Sequence, residues 1–408
     1  MESSSRIIDR EAVRACFEKI KKETLPADVI NTVLLVIMFA FYTLTFFVPR
    51  FYGLTEKYVG LFNFAVLSVM FIVNIRPLAK LKSKDKEMIA LALTVVVTLV
   101  NIVLVGSGFG CFFVVVNFAM IWYMAGTVRF LKWQRYFFGI LYMLMIIYWF
   151  AGVYTWMFAD YTSFAMNTNT AATFTVFSML CVFVLFDFML DRFPVTGLLI
   201  TVALIKCLQI ALYHRSRGAF ILIIVFFVLR FIVPARMWER KWFFRSMCIF
   251  ATLGSLVFVA AYVWLGTTGA NFRMPFFYKN VFSGREAIWL EFWNLFRARP
   301  LTGIGTNVTI TSFMEFNVHN AMYNIVVIHG VIVFALVLYI MFARWEKIRP
   351  ALGTNRAARC AFVAILAVCI ESFTDVDLIW TDYTMNMIFL LFVMSAGSGR
   401  GAADGQKE

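Results

Sequence analysis

Residues 88–105 read MIALALTVVVTLVNIVLV, an apolar stretch without a single charged side chain. Because an α-helix needs about 20 apolar residues to cross ~30 Å of hydrocarbon, this stretch predicts a transmembrane helix. Eleven further runs that are mostly apolar occur in the chain. The sequence therefore predicts an all-α, polytopic membrane protein of about twelve transmembrane helices. The twelve runs are 29–48, 58–75, 88–105, 109–128, 137–157, 171–190, 195–213, 218–234, 246–266, 320–342, 360–374 and 383–396.

The composition excludes a large soluble domain. Of the 408 residues, 62% are hydrophobic and only 15% are charged, and the mean hydropathy is +0.82. A soluble domain has roughly 45–50% apolar and about 25% charged residues. Twelve helices take up about 240 residues, which leaves little chain for loops. We therefore predict one transmembrane domain over 29–396.

The distribution of lysine and arginine predicts the orientation. With the N-terminus inside, the cytoplasmic segments contain 26 of the 37 Lys and Arg residues and the outer loops contain 9, while Lys206 and Arg230 lie within apolar runs. This excess follows the positive-inside rule and accounts for nearly all of the net charge of +14, so no nucleic-acid partner is expected. Both termini are cytoplasmic: 1–28 is a basic amphipathic segment on membrane lipids or a solvated tail, and 397–408 is a short tail.

Two groups of basic residues contradict this bias and lie on the predicted outer face. One is the tight turn 214–218, which contains Arg215 and Arg217, and the other is the long outer loop 267–319. Positive charge on the disfavoured side needs a local reason, so both groups predict an anionic ligand there. The basic residues of the loop are Arg273, Lys279, Arg285, Arg297 and Arg299, the last two interpreted as lipid-facing.

The long outer loop contains a predicted helix and a candidate base. Ser283-Gly284-Arg285-Glu286 has the S-x-x-E form of a capping box, so a helix is expected to begin there. Aromatic and aliphatic residues over 288–296 predict that this amphipathic helix lies along the outer membrane interface. His319 lies where the chain re-enters the membrane, and a histidine can act as a base at physiological pH.

Several short motifs share this predicted outer face. They are Asn167-Thr168-Asn169, R-S-R-G-A (215–219), S-G-R-E-A-I-W (283–289), P-L-T-G-I-G (300–305), and H-N-A-M-Y-N (319–324) with Gly330. In their order and common location these motifs resemble those of the O-antigen ligase and Wzy-type polysaccharide polymerase family. The resemblance covers 165–335, and the remainder of the chain agrees in hydropathy and helix number.

The resemblance implies a membrane glycosyltransferase of the GT-C type without a metal or other cofactor. Such an enzyme moves a glycan from undecaprenyl-diphosphate-linked oligosaccharide to an acceptor hydroxyl outside the bacterial cytoplasmic membrane. The resemblance assigns Arg215 or Arg217, together with Arg285, to the diphosphate and His319 to the acceptor side, which makes His319 and Arg285 the candidate catalytic residues. The supporting motif residues are Ser283, Gly284, Gly303, Gly305 and Asn320.

The chemistry of these side chains agrees with that assignment. A departing diphosphate needs positive charge, and a guanidinium group binds phosphate through two parallel hydrogen bonds. Inversion at the anomeric carbon needs a base on the opposite side of the sugar.

Lys206 either adds to the diphosphate site or pairs with an acid such as Glu371. The last outer loop has four acids that either bind acceptor hydroxyls or form a solvated loop: Glu371, Asp375, Asp377 and Asp382.

The first functional hypothesis is a metal-independent, inverting polymerase that joins lipid-linked repeat units. One alternative is a ligase that passes glycan to a lipid or protein acceptor, although the outer loop is compact for a ligase. The other is a secondary transporter such as a lipid-linked oligosaccharide flippase. Two features count against transport. The junction 191–194, between the sixth and seventh predicted helices, is short. Only one outer loop is long, whereas alternating access predicts two similar halves of the chain.

Overall fold

A computed structural model of the chain describes residues 18–75, 85–150, 167–187, 190, 194–269, 282–312 and 317–396. Every regular element within these ranges is helical, which confirms the predicted all-α class. Most of the predicted amphipathic segment 1–28, the tail 397–408 and part of the outer loop, including Arg273 and Lys279, lie outside the described residues.

The α-helices are numbered here in chain order after a short helical stretch at 18–23. One π-helical turn, Val228–Ile232, extends α8, and two short 3-10 helices are Arg349–Ala351 and Thr381–Tyr383. The helices are α1 Pro26–Phe47, α2 Pro49–Asn74, α3 Lys86–Val105, α4 Phe109–Met124, α5 Lys132–Tyr148, α6 Thr168–Phe186, α7 Pro194–Tyr213, α8 Arg217–Phe227, α9 Ala235–Glu239, α10 Lys241–Thr267, α11 Arg285–Phe296, α12 Ala321–Ile348, α13 Arg356–Glu371 and α14 Thr384–Ala396.

Each of the twelve predicted apolar runs overlaps one of these helices, and only α9 and α11 lie outside the runs. Among the described helices, seven are long and apolar enough to cross a membrane: α1, α2, α3, α6, α7, α10 and α12. The other five that overlap apolar runs have 11 to 17 residues. The fold is consistent with a polytopic membrane protein.

Buried ion pairs join helix ends at one end of the bundle, called here the ion-pair end. Asp187, after α6, accepts hydrogen bonds from Arg230 Nε (2.9 Å) near the end of α8 and Arg356 Nε (2.6 Å) at the start of α13. Glu87, at the start of α3, binds Arg344 in the last part of α12 (2.6 Å). Removing one partner of such a buried pair costs about 3–5 kcal/mol, so these contacts stabilise the packing of the helix ends.

The centre of the bundle consists of α13 and α14. Side chains from Cys360 to Cys369 are at most 1% exposed, so other helices cover α13 on all sides. Helix α7, in contrast, presents large apolar side chains outward, as expected of a surface that contacts lipid. Five of them are more than half exposed: Val195, Leu198, Leu199, Val202 and Ile205.

Helix α12 is broken at Gly330, which has φ 84° and ψ 168°. The P-L-T-G-I-G segment 300–305 fills the break, because its backbone pairs with residues 327–331. Asn101 of α3 also donates from Nδ2 to the carbonyl of His329 (2.9 Å). An irregular backbone at membrane depth is tolerated only when such partners satisfy it. The hydrogen bonds run from Ile304 N to Val327 O (2.8 Å), Gly305 N to Ile328 O (3.1 Å) and Val331 N to Pro300 O (2.9 Å).

Candidate functional site

A polar cavity lies at the opposite end of the bundle, called here the site end. Four segments that are distant in sequence surround it: the start of α6, the α7–α8 turn, the start of α11 and the loop after α13. Three of the arginines predicted from sequence are therefore brought together. The lining residues are Asn169, Thr173, Arg215, Ser216, Arg217, Gly218, Arg285, Thr374 and Asp375.

The α7–α8 turn positions the first two arginines. Its Arg215 has a left-handed backbone (φ 51°), and the next residue, Ser216, caps α8 by accepting a hydrogen bond from Ala219 N at Oγ (3.4 Å). A Cβ atom at Gly218 would lie 2.4 Å from Glu371 Oε1. Glycine at this position therefore lets the end of α13 pack directly against the start of α8.

Arg217 connects this turn to the start of α11. Its Nη2 donates to Ser283 Oγ (2.8 Å), and its charge is close enough to that of Arg285 for the two to repel. Helix α11 begins at Arg285, as predicted, but the predicted capping box is wrong. The N-cap is Gly284 (φ 81°), with no side-chain hydrogen bond, because the left-handed Ser283 directs its hydroxyl to Arg217 instead.

The segment 319–320 brings His319 beside Asp375, a residue of the cavity wall. His319 has φ 51°, and its Nδ1 lies 3.7 Å from Asp375 Oδ1. The next residue, Asn320, is fully buried and is the N-cap of α12. It joins α10, α12 and the loop after α13: its Oδ1 accepts from Tyr323 N and Ser255 Oγ (both 2.9 Å), and its Nδ2 donates to Phe373 O (2.9 Å).

Asp375 links the histidine to the arginine group, a role that the sequence did not assign to it. Its Oδ2 lies 3.8 Å from Arg285 Nη2, and its Oδ1 faces His319. Burial alone would raise the pKa of Asp375, but the proximity of the His319 ring and the charge of Arg285 bring that pKa below its ordinary value. An ionised Asp375 can therefore orient the His319 ring and hold Arg285 in place.

The other acids of this loop are buried, so the alternative in which they form a solvated loop is wrong. Glu371, Asp377 and Asp382 are all at most 9% exposed. Burial and the neighbouring carboxyl groups of Glu371 and Asp375 raise the pKa of Asp377 well above its usual range. The raised pKa favours the neutral form of Asp377, and Asp377 is not among the residues that line the cavity.

The charge balance of the cavity favours an anion. Three arginines and a single ionised carboxylate line it, while burial lowers the pKa of nearby His214 to about 4 and keeps that ring neutral. The cavity has a volume of only about 30 Å³, room for about one or two water molecules. A group as large as a phosphate would therefore fit only if the lining side chains moved apart.

Three of the predicted site residues share an unusual backbone conformation. Arg215, Ser283 and His319 all have φ 51°, and they are the only non-glycine residues with positive φ in the described part of the chain. This conformation costs roughly 1–2 kcal/mol per residue and persists where the surrounding structure enforces it, often at functional sites. Arg215 lines the cavity, Ser283 accepts a hydrogen bond from Arg217, and His319 lies beside Asp375 of the cavity wall.

Three predicted site residues lie elsewhere. Lys206 is on α7 with its Nζ 3.3 Å from Gln209 Oε1, and it is not among the residues that line the cavity. Gly303 and Gly305 pack against the break in α12, where a Cβ at Gly303 would lie 2.3 Å from Ile328 O. These two glycines support the fold and do not line the site. Within the described ranges, no group of three His, Cys, Asp or Glu side chains is arranged to hold a metal ion.

Replacing Asn320 with alanine is expected to lower the free energy of unfolding by about 2–4 kcal/mol and to reduce any activity that depends on His319. The change removes an N-cap and leaves Ser255 Oγ and the Phe373 carbonyl without their buried partner. Thermal unfolding of the purified protein in detergent measures the effect.

Asn167 offers a matched control at the same end of the bundle. It also caps a helix through its side chain, but its Oδ1 accepts only from Asn169 N at an exposed site. Asn167→Ala is expected to cost about 1 kcal/mol or less. Equal losses in the two variants would show that Asn320 is an ordinary helix cap and does not connect the helices.

No family model matches the chain, and no curated protein has a significant match.

Proposed function

We propose that the protein is a polysaccharide polymerase, a metal-independent inverting glycosyltransferase whose donor is an oligosaccharide on undecaprenyl diphosphate. One observation carries this proposal: Arg217 and Arg285 share a small cavity with Asp375, which in turn faces His319. Cations for a leaving diphosphate and a carboxylate-oriented base for an acceptor hydroxyl are thus adjacent. The resemblance of the motifs around these residues agrees with this chemistry.

The reaction follows from these positions. Because Asp375 faces His319 Nδ1, the other ring nitrogen takes the proton of the acceptor hydroxyl. The hydroxyl oxygen then forms a bond to the anomeric carbon, and the bond from that carbon to the diphosphate breaks. The electron pair leaves with the diphosphate, whose charge the arginines stabilise. Attack opposite the leaving group inverts the anomeric carbon.

The same proposal includes the topology. Twelve spans with both termini in the cytoplasm put the site end on the outer face of the bacterial cytoplasmic membrane. The excess of Lys and Arg in the loops of the ion-pair end supports this orientation. Labelling of a cysteine introduced at the exposed Arg299 tests it: an impermeant maleimide is expected to label intact spheroplasts, and labelling only after lysis would place the site end in the cytoplasm.

Purified protein in liposomes tests the proposed activity. Given a repeat unit on undecaprenyl diphosphate, it is expected to make longer glycans without nucleotide sugar or an ion gradient. Transfer to a different lipid or protein acceptor, without chain extension, would make it a ligase. Movement of the donor between leaflets with no new glycosidic bond would make it a flippase and contradict the proposal.

His319→Asn is the most direct test of His319 as the base. Asparagine tolerates the left-handed backbone of this position but cannot take the proton, so the protein is expected to fold while transfer falls by about 10²–10⁴-fold. Thermal unfolding and gel analysis of the glycan products measure the two effects. Transfer at the wild-type rate would remove His319 from the mechanism.

A further inference from the structure

An apolar groove lies beside the arginine cavity. It has a volume of about 400 Å³ and lies between α10, α11 and α12. Its walls include Val259 and Ala260 of α10, Trp289 and Trp293 of α11, and Val326 of α12. This volume is within the range of about 300–1,000 Å³ that is typical of ligand pockets.

Two aromatic side chains separate the groove from the arginines. Tyr262 hydrogen-bonds with Arg217 and, through its hydroxyl, with the carbonyl of Phe282 (2.5 Å). Its ring lies 4.8 Å, centroid to centroid, from that of Trp289, which lines the groove. Trp289 is also one helical turn after Arg285, so both side chains project from the same side of α11. The cationic and apolar sites are therefore direct neighbours.

The position of Trp289 is fixed by hydrogen bonds at both ends of the residue. Its indole Nε1 donates to the carbonyl of Val318 (2.6 Å), the residue before His319. Its own carbonyl accepts from the Tyr323 hydroxyl (2.9 Å). A fixed wall on this side keeps the groove in a constant position relative to the base and the arginines.

The groove opens toward the lipid-facing surface of the bundle. Trp264, Leu290 and Trp293 line it and are 37–66% exposed. Tryptophan is enriched at the boundary between hydrocarbon and headgroups, which is the depth that a lipid-linked substrate must cross to reach the arginines. A chain in the bilayer can thus enter the groove sideways while its headgroup stays at the site end.

We propose that this groove binds the first isoprene units of the donor lipid, next to its diphosphate. The inference rests on the proposed function. Neighbouring cationic and apolar sites complement a ligand that has a diphosphate directly attached to an apolar chain. Transfer of a chain from lipid tails to the groove gains little hydrophobic free energy, because the tails are equally apolar. The groove therefore acts mainly by positioning the diphosphate between Arg217 and Arg285.

Photo-crosslinking in nanodiscs of phosphatidylethanolamine and phosphatidylglycerol tests the inference. The probe is a polyprenyl diphosphate with a diazirine in its second isoprene unit, and mass spectrometry locates the labelled residues. Labelling is expected at 256–264 and 289–293, and excess undecaprenyl diphosphate is expected to reduce it by about tenfold or more. A phospholipid with a diazirine in its acyl chain is expected to label the apolar surface without this preference.

Two adjacent alanines of α10 supply the matched variants. Both Ala260 and Ala261 are exposed, but only Ala260 lines the groove. Ala260→Phe is expected to lower groove labelling and glycan transfer by about tenfold or more, and Ala261→Phe to change neither by more than about twofold.

The outcomes separate this inference from the proposed function. Labelling that undecaprenyl diphosphate reduces, but that falls on another helix such as α7, would contradict isoprene binding in the groove and leave the proposed function intact. If the phospholipid probe labels the groove equally and undecaprenyl diphosphate does not reduce this labelling, the groove holds bulk lipid. That result would also contradict isoprene binding in the groove. Absence of competable labelling anywhere on the chain would contradict the proposed donor itself.

Discussion

Replacing Arg285 with glutamine is expected to lower the rate of glycan transfer by about 10²–10³-fold while the protein remains folded. In transfer from a diphosphate, negative charge develops on the leaving group, and a guanidinium group stabilises it with directed hydrogen bonds. Arg285 faces the cavity and lies 3.8 Å from Asp375. Glutamine keeps much of the side-chain length but removes the charge. Initial rates with a lipid-linked repeat unit in liposomes measure the effect.

Arg299 is the matched control for charge. It also lies on the segment that contains α11, but it is exposed and is not among the residues that line the cavity. Arg299→Gln removes the same charge at the same end of the bundle and is expected to change the rate by less than about threefold, since exposed charges are strongly screened. Equal rates for the two variants would mean that Arg285 contributes only to the general positive field of the surface.

Arg285→Lys separates charge from geometry. Lysine keeps the positive charge but binds phosphate as a point charge, without the paired hydrogen bonds of a guanidinium group. We expect this variant to keep more activity than Arg285→Gln and less than the wild type. Full recovery with lysine would show that charge alone is required at this position.

The helices could be predicted from the sequence because their signal is local. Each apolar run overlaps a helix of the structure, and the uncharged stretch 88–105 lies entirely within α3. The location of the candidate site was also predictable, because Arg215, Arg217 and Arg285 stand out against the positive-inside pattern. A basic residue on the disfavoured side is rare enough to be informative without knowledge of its neighbours.

The partners of these residues could not be predicted in the same way. Asp375 is one of four acids in a short segment, and only packing shows that it faces His319 while Asp377 is buried with Glu371. Ser283 had the sequence of a capping box, but a left-handed backbone directs its hydroxyl to Arg217. Such contacts depend on segments far apart in the chain, which local patterns do not report.

The P-L-T-G-I-G motif supports the fold and does not line the candidate site. Both of its glycines, Gly303 and Gly305, have positive φ, which glycine adopts without steric cost. The partner of the motif was not predictable, since it is the break in α12 around Gly330, 25 or more residues later. A motif that lies near the candidate site can thus support α12, the helix that begins just after His319.

Gly330→Ala is therefore expected to be the most destabilising of these changes, with a loss of at least about 3 kcal/mol in the free energy of unfolding. Its φ of 84° and ψ of 168° belong to a region that is essentially restricted to glycine. A Cβ atom would also lie 2.1 Å from the carbonyl oxygen of Leu301, which is backbone and cannot rotate away. Pushing 300–305 out of the break would leave backbone groups unpaired within the membrane, at several kcal/mol each.

Gly197→Ala provides the control, because Gly197 lies within α7 and a Cβ there would meet no atom within 4 Å. That variant is expected to gain about 0.5–1 kcal/mol from the lower flexibility of alanine in a helix. Fluorescence-detected size exclusion and thermal unfolding of the two variants, expressed in parallel, compare the effects. A wild-type unfolding midpoint for Gly330→Ala would mean that the 300–305 segment does not need the break. The start of α12, and with it His319, would then be positioned by the Asn320 contacts alone.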